Sequence, residues 1–385
     1  MKLRRGSAVI AAVIFGAATA LAAPLHLKYV VIVSRHGVRA PTWTAERLNR
    51  YSAQPWPDFG VPPGYLTAHG RALMELLGGY YREWLLNEGL LGREACAGAR
   101  RVYARADTDE RTLESGRALA EALAPGCGIA VHSADRGRKD ELFSGTGGRG
   151  TPARGMLVAP AALDELNTVL GGQRVPASEA GAASSLAEDL LLEYANGFSG
   201  KDLGWGRLNE RNLERILGLH ADYAETTRRA PEVARPRGSN LLAHVLASME
   251  QAASGKATSG ALGKPGDAVL ILMGHDTNIS NLSGMLGIWW HLPGYPANET
   301  PPGGALIFSL WQDSAGRHVV RTQYLAQTPG QMHDATPLDL SAPPATENIL
   351  VAGCAAADCE WSAFDRILKK AIDPRFAMMD DHHQM

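Results

Sequence analysis

Cysteine is scarce in this chain: 385 residues carry four. No two of them form a Cys-x-x-Cys pair, and no His pair at metal-ligand spacing sits on an obvious helix, so a metal site is a poor reading. Positive charge is not in excess either, with 38 Lys and Arg against 40 Asp and Glu and no Lys/Arg run. That balance argues against nucleic acid or an anionic membrane surface as the main partner. Past residue 22 no apolar run reaches the ~20 residues that a bilayer span needs. The glycine-rich run from Ser144 to Pro152 lacks the Gly-Lys-Ser/Thr ending of a P-loop and follows no clear strand, so it reads as a flexible connection. No internal repeat is visible.

The chain is 45% hydrophobic and 20% charged, enough to bury a substantial core as one large domain with an insertion or as two domains. Residues 1–22 read as an export signal. Lys2, Arg4 and Arg5 form a charged start, Ala8 to Ala18 is largely apolar, and Ala20-Leu21-Ala22 is a small-x-small cleavage site. The alternative, an uncleaved anchor, fits less well because the apolar run is short. Removing this segment takes three basic residues from 38 and no acid from 40, which leaves 35 against 40, a formal charge of −5. The expected product is a periplasmic or secreted protein with no membrane association after cleavage. In an exported protein the four cysteines become candidates for disulfides, with three possible connectivities. The favoured set joins Cys96 to Cys127 around one strand–helix unit and Cys354 to Cys359 across a tight loop.

Tyr29 to Val33 is an apolar, mostly β-branched run that predicts a strand buried on both faces, and Ala268 to Met273 predicts a second. Shorter strands are expected at Val102–Ala104 and Gly128–His132, and a late antiparallel pair at Ala305–Trp311 and Val319–Tyr324. A helix capped by Thr67 carries Leu73, Leu76, Leu77, Tyr80, Tyr81 and Trp84 at helical spacing. Another opens near Asp107–Thr112 and runs to Leu123. Residues 153–262 carry mostly helical patterns, at Ser184–Tyr194, Leu208–Ala230 and Ser239–Ala253, and Ser254–Gly266 reads as the exit linker.

The two buried strands end in chemically loaded turns. The first is followed by Arg35-His36-Gly37-Val38-Arg39 and the second by Gly274-His275-Asp276. Ligands bind outside the carboxyl ends of strands in open α/β sheets, so parallel neighbours would face both turns into one crevice. Arg111, in the first turn of its helix, could join them with the free N–H groups of that helix end. Clustered cations without an acid are costly unless an anion visits. Arg35, Arg39 and Arg111 are suited to grip phosphate oxygens, and His275 could add a hydrogen bond. His36 could attack phosphorus through a ring nitrogen, and Asp276 could protonate the leaving alkoxide and then activate water. No metal or other cofactor is required. Against this, Asp107, Asp109 and Glu110 could pair with Arg111 on a solvated helix end, and a His beside a carboxylate could be purely structural. Asp380-Asp381-His382-His383 reads as a disordered tail.

Arg35 to Thr42 (Arg-His-Gly-Val-Arg-Ala-Pro-Thr), taken with Gly274-His275-Asp276-Thr277-Asn278, resembles the histidine acid phosphatase family. The nearest likeness is to its bacterial periplasmic phytase and glucose-1-phosphatase group. Asp107 to Thr112, Gly204 to Arg207, Pro231 to Arg235 and Thr300 to Gly304 also look like family segments. The resemblance implies an α/β fold, with a mostly parallel central sheet flanked by helices and a helical cap over the active site. On this chain that division is a core of residues 23–150 and 265–385 and a cap of residues 151–264. It further implies His36 as nucleophile, Asp276 as proton donor, and Arg35, Arg39, Arg111 and His275 as phosphate ligands, with Thr42 and Asp107 lining the pocket. It also supports the Cys96–Cys127 bridge.

One departure bears on substrate. Phytases of this group commonly carry a Lys after Ala-Pro-Thr, where this chain has Trp43; the Gly37-Val38 pair is more phytase-like than glucose-1-phosphatase-like. The expectation is a metal-independent acid phosphomonoesterase acting on phytate or other sugar or inositol phosphates. The alternatives are a glucose-1-phosphatase-like or broad-specificity enzyme, or a non-catalytic binder of phosphate esters. A phosphomutase fits poorly with export. The expected partner is a small phosphomonoester, and the oligomeric state is open.

Overall fold

The computed structural model describes residues 24–92, 94, 96–146 and 158–379. The expected export signal, the glycine-rich run from residue 147 onward and the Asp380–His383 tail lie outside the described residues.

One eight-stranded sheet runs through the protein. Its strands are β1 (His26–Arg35), β2 (Val102–Ala106), β3 (Val131–His132), β4 (Val269–Gly274), β5 (Ala305–Gln312), β6 (His318–Ala326), β7 (Ala345–Ile349) and β8 (Cys359–Glu360). The order is β3-β2-β4-β1-β5-β6-β7, with β8 also beside β6. The four strands β3, β2, β4 and β1 are mutually parallel. The remaining four are antiparallel to their neighbours. The main helices are α1 (Ala68–Asn87), α2 (Glu110–Leu123), α3 (Pro160–Leu170), α4 (Ala180–Ala195), α5 (Glu210–Ala224), α6 (Pro231–Ser254), α7 (Asp276–Leu286) and α8 (Trp361–Ala371).

The apolar runs in β1 and β4 are uninterrupted because both faces of the sheet are covered. Val30, Ile32, Ile271 and Met273 pack with Met74 and Leu77 of α1 and Leu113 and Leu119 of α2. Val31, Val33, Leu270 and Leu272 join the opposite core with Leu242 and Val245 of α6, Ile279 of α7 and Phe364 of α8. Each such side chain contributes roughly 1.5–3 kcal/mol on burial. Register follows: Val30 pairs with Val269 and Arg35 with Gly274, so β1 and β4 end side by side.

Some boundaries differ from those the sequence suggested. Of the expected Gly128–His132 strand only Val131–His132 pairs, at the sheet edge. The expected Leu208–Ala230 helix is α5 followed by one π turn, Glu225–Arg229. The expected Ser239–Ala253 helix starts at Pro231, with Pro236 inside it. Pro236 reads as a stop in sequence, but the helix tolerates its missing N–H because packing on α7 and β1 holds it. Helices α3, α7 and α8 and strands β7 and β8 were not anticipated. Both favoured disulfides are present, Cys96–Cys127 and Cys354–Cys359.

Candidate active site

The carboxyl ends of β1, β2 and β4 converge, and backbone bonds lock the turns that follow them. The His36 N–H donates to the Gly274 carbonyl at 2.9 Å, and the Asp107 N–H donates to the Met273 carbonyl at 3.0 Å. The turn after β1 is pressed against the start of α1. A Cβ at Gly70 would lie 2.1 Å from the Val38 carbonyl oxygen, so only glycine allows this approach. Thr67 caps α1, its hydroxyl accepting from the Gly70 N–H at 2.8 Å, and its own N–H reaches back to the Val38 carbonyl.

His36 is 3% exposed. Its Nδ1 lies 2.8 Å from the Gly37 carbonyl oxygen, which can only accept, so Nδ1 carries the proton and Nε2 keeps its lone pair. Burial, then the charges of Arg35, Arg111, His275 and Arg39, hold the imidazole well below its ordinary range. The result is a neutral, buried imidazole among cations, with a ring nitrogen in the state that nucleophilic attack requires.

The structure brings Arg35, Arg39 and Arg111 around this ring. Arg35 is fully buried, donates to the Thr300 carbonyl at 2.5 Å and pairs with Glu188. Arg39 donates to the Ala40 carbonyl and pairs with the same Glu188 oxygen at 3.2 Å. Arg111, on the second residue of α2, reaches Asp109 at 2.6 Å. The Nε of all three is buried without a hydrogen-bond partner. Buried donors left unpaired at one place are costly unless a ligand uses them.

His275 stands 5.5 Å from His36, centroid to centroid and nearly edge-on, with its Nε2 2.9 Å from Asp107. Asp107 thus orients His275, a more specific placement than lining the pocket. Thr42 is exposed at the rim beside Gly64 and Arg111. Trp43 is turned toward its own loop, with the Arg47 guanidinium 3.5 Å above its ring.

Asp276 opens α7 and has partners that sequence reasoning did not find. Arg228 of the π turn pairs with its Oδ2, and the Nε2 of His220 on α5 is 3.6 Å away. Burial opposes ionisation of Asp276, but Arg228, His220 and Arg35 outweigh it and hold the carboxyl well below its usual range. His220 is anchored from behind by Glu299, Nδ1 to Oε1 2.8 Å. Burial disfavours its charge, yet Glu299 and Asp276 push the imidazole up to about 9. Glu188 was missed as well; against burial, Arg39 and Arg35 hold it down at about 2. One signal was available for Glu188: it stands among the apolar residues of α4 beside Asp189 and near Glu193, both buried, and unpaired acids there would be costly.

Donor atoms of Glu188, His220 and Asp276 lie within 4.8 Å of one another, a spacing a metal ion could use. The set does not fit one. Glu188 is already shared by two guanidinium groups and Asp276 holds a third, so an added cation would face Arg35, Arg39 and Arg228.

The profile of branch 2 of the histidine phosphatase superfamily matches residues 26–147 and 193–324, which include every residue of this cluster except Glu188. The chain belongs to that family. It is 34% identical over 406 residues to the phytase AppA of Escherichia coli K12, covering 91% of this chain and 93% of that one. It is 24% identical to the glucose-1-phosphatase of Providencia rettgeri, covering 91% and 93%. Among solved structures, the Hafnia alvei phytase in complex with tartrate superposes with a TM-score of 0.83 at 33% identity, over 93% of this chain and all of that one. This histidine phosphatase is accordingly a phosphoric monoester hydrolase, with the mixed α/β fold of its relatives.

Proposed function

We propose that the chain is an exported, metal-independent acid phosphatase that hydrolyses sugar or inositol phosphates through a phosphohistidine on His36. The observation that carries the reading is the neutral His36, with Nε2 free, inside three guanidinium groups whose buried Nε–H donors have no partner. In this reading Arg35, Arg39, Arg111 and His275 hold the phosphoryl oxygens and stabilise the charge spread over them in the transition state. The Nε2 of His36 bonds to phosphorus as the ester P–O bond breaks, and Asp276 gives its proton to the departing alkoxide. Water then attacks the phosphohistidine, Asp276 takes the proton from that water, and phosphate leaves. Asp107 fixes the ring of His275, and Thr42 borders the entrance.

The substrate class rests on the relatives, two of which are named for phytate and one for glucose 1-phosphate. Trp43 at the rim takes away one cation that a polyphosphorylated ring would use. We assign the cap to helices α3 to α5, which pack chiefly on one another, and α6 to the core, since it lies on β1 and α7. That moves the cap's end from residue 264 to about the π turn. No helix among the described residues is long and apolar enough to cross a membrane.

The test is a panel of phytate, glucose 1-phosphate and p-nitrophenyl phosphate at acid pH, with and without chelator, on the wild type and His36→Ala. The expected outcome is chelator-insensitive turnover that His36→Ala abolishes, with an acid-labile ³²P-phosphoprotein trapped from the wild type. Undiminished turnover in His36→Ala overturns the mechanism.

A further inference from the structure

A proton donor needs its proton, and the neighbours of Asp276 favour the bare carboxylate. Five charged groups act on this carboxyl from five elements. Arg228 touches it from the π turn and His220 approaches it from α5. Glu188 faces it from α4, Arg35 from the end of β1 and Arg111 from α2. The phenol of Tyr324 on β6 also lies within its field. Arg228 is the strongest of the opposing charges.

Arg228 is also well placed to leave. It rides on the single π turn of the described residues, Glu225–Arg229, where α5 has run out and α6 has not begun. Such turns often mark functional positions. Its side chain keeps 16% of its surface exposed, against 1% for Arg35, 7% for Arg39 and 2% for His220. A run of close charged groups connects it to the cradle. Arg228 pairs with Asp276, whose oxygen lies within 4.8 Å of Glu188, and Glu188 bridges Arg35 and Arg39. Two carboxylates, Asp276 and Glu188, therefore separate the guanidinium of Arg228 from Arg35 and Arg39.

We propose that Arg228 controls Asp276: it pairs with the carboxylate before substrate binds and swings its side chain to the phosphate of an arriving monoester, freeing Asp276 to take up a proton. This inference rests on the phosphatase reading above. The proton comes from solvent on substrate entry, passes to the ester oxygen as the P–O bond breaks, and is replaced from the attacking water. The device couples acid loading to occupancy, so Asp276 is armed only when there is a leaving group to protonate. It also puts a fourth guanidinium within reach of the substrate, from the π turn that follows α5.

The experiment compares wild type, Arg228→Gln and Arg228→Lys on glycerol 2-phosphate, an alkyl ester whose leaving group needs the proton. kcat and KM are followed from pH 3 to 8, with thermal unfolding as the check on folding. The alkaline limb of kcat/KM reports loss of the proton from the free enzyme's acid. Removing an opposite charge in contact with it moves that limb to higher pH by about 1–3 on the pH scale. Arg228→Gln is expected to show this displacement together with a severalfold rise in KM. Arg228→Lys, which keeps a cation without the planar fork, is expected to return most of the limb position and part of the KM. An unmoved limb in a folded Arg228→Gln, or an unchanged KM, overturns the proposal while leaving the phosphatase reading intact. A wild type that turns over no monoester overturns the phosphatase reading itself, and this inference with it.

Discussion

Glu299→Gln tests the buried charge arrangement behind Asp276. His220 and Glu299 are 2% and 0% exposed at the side chain and 2.8 Å apart, so neither is screened by solvent. The imidazole stands at about 9 in the folded protein, against an ordinary 6.5. A histidine raised by folding stabilises fully below its unfolded value, and that stability is lost as pH rises through the folded value. The window here is pH 6.5 to 9, and the raised imidazole corresponds to about 3 kcal/mol at 1.36 kcal/mol per tenfold change. Replacing Glu299 by Gln keeps the shape and removes the main partner, leaving His220 with Asp276 and opposed by Arg228. Urea unfolding of both proteins at steps from pH 5 to 9.5 should show the wild type's advantage largest below 6.5 and fading toward 9. Glu193, pushed up to about 8 by burial, makes both proteins lose stability as pH rises toward 8 and cancels in the difference. An advantage that is constant across pH would refute the charged pair.

Two further outcomes follow from the same geometry. Asp107→Asn leaves a group of the same size that cannot hold the His275 ring as a carboxylate does, so kcat should fall at least about tenfold, ~1.4 kcal/mol, with the fold intact. A wild-type kcat would mean that Asp107 does no more than border the site. Replacing Cys96 and Cys127 together by Ser opens a link between residues 31 apart and should cost about 3–4 kcal/mol of stability, read as a lower urea midpoint. Activity per folded molecule should stay unchanged, because the bridge ties the segment before β2 to the turn after α2, at the ends of those elements away from the crevice.

Much of the site was legible because it grows from strand ends. Tyr29–Val33 and Ala268–Met273 announce themselves as strands covered on both faces, and the polar turns after them meet in the fold. Arg111 could be read only as a possibility, since its acidic neighbours offered a competing partner; in the fold Asp109 does pair with it, while its Nε stays open. The groups that surround Asp276 were not legible. Glu188, His220, Arg228 and Glu299 come from three helical segments and a proline-rich loop, and nothing in their local pattern says which strand end they meet. The helix boundaries failed where packing overrode local signals, as at Pro236 inside α6.

The sequence by itself determined the two buried strands and the charged turns that end them, because these depend on local pattern, while the fold class and the favoured cysteine pairing drew also on the resemblance to a family. Only the tertiary structure decided the electrostatic state of that acid. Charge at Asp276 is a sum over neighbours from five elements separated by up to 241 positions in the chain, from Arg35 to Asp276 itself. Coulomb interaction depends on distance in space and on the exclusion of water, and neither is written in the order of the residues.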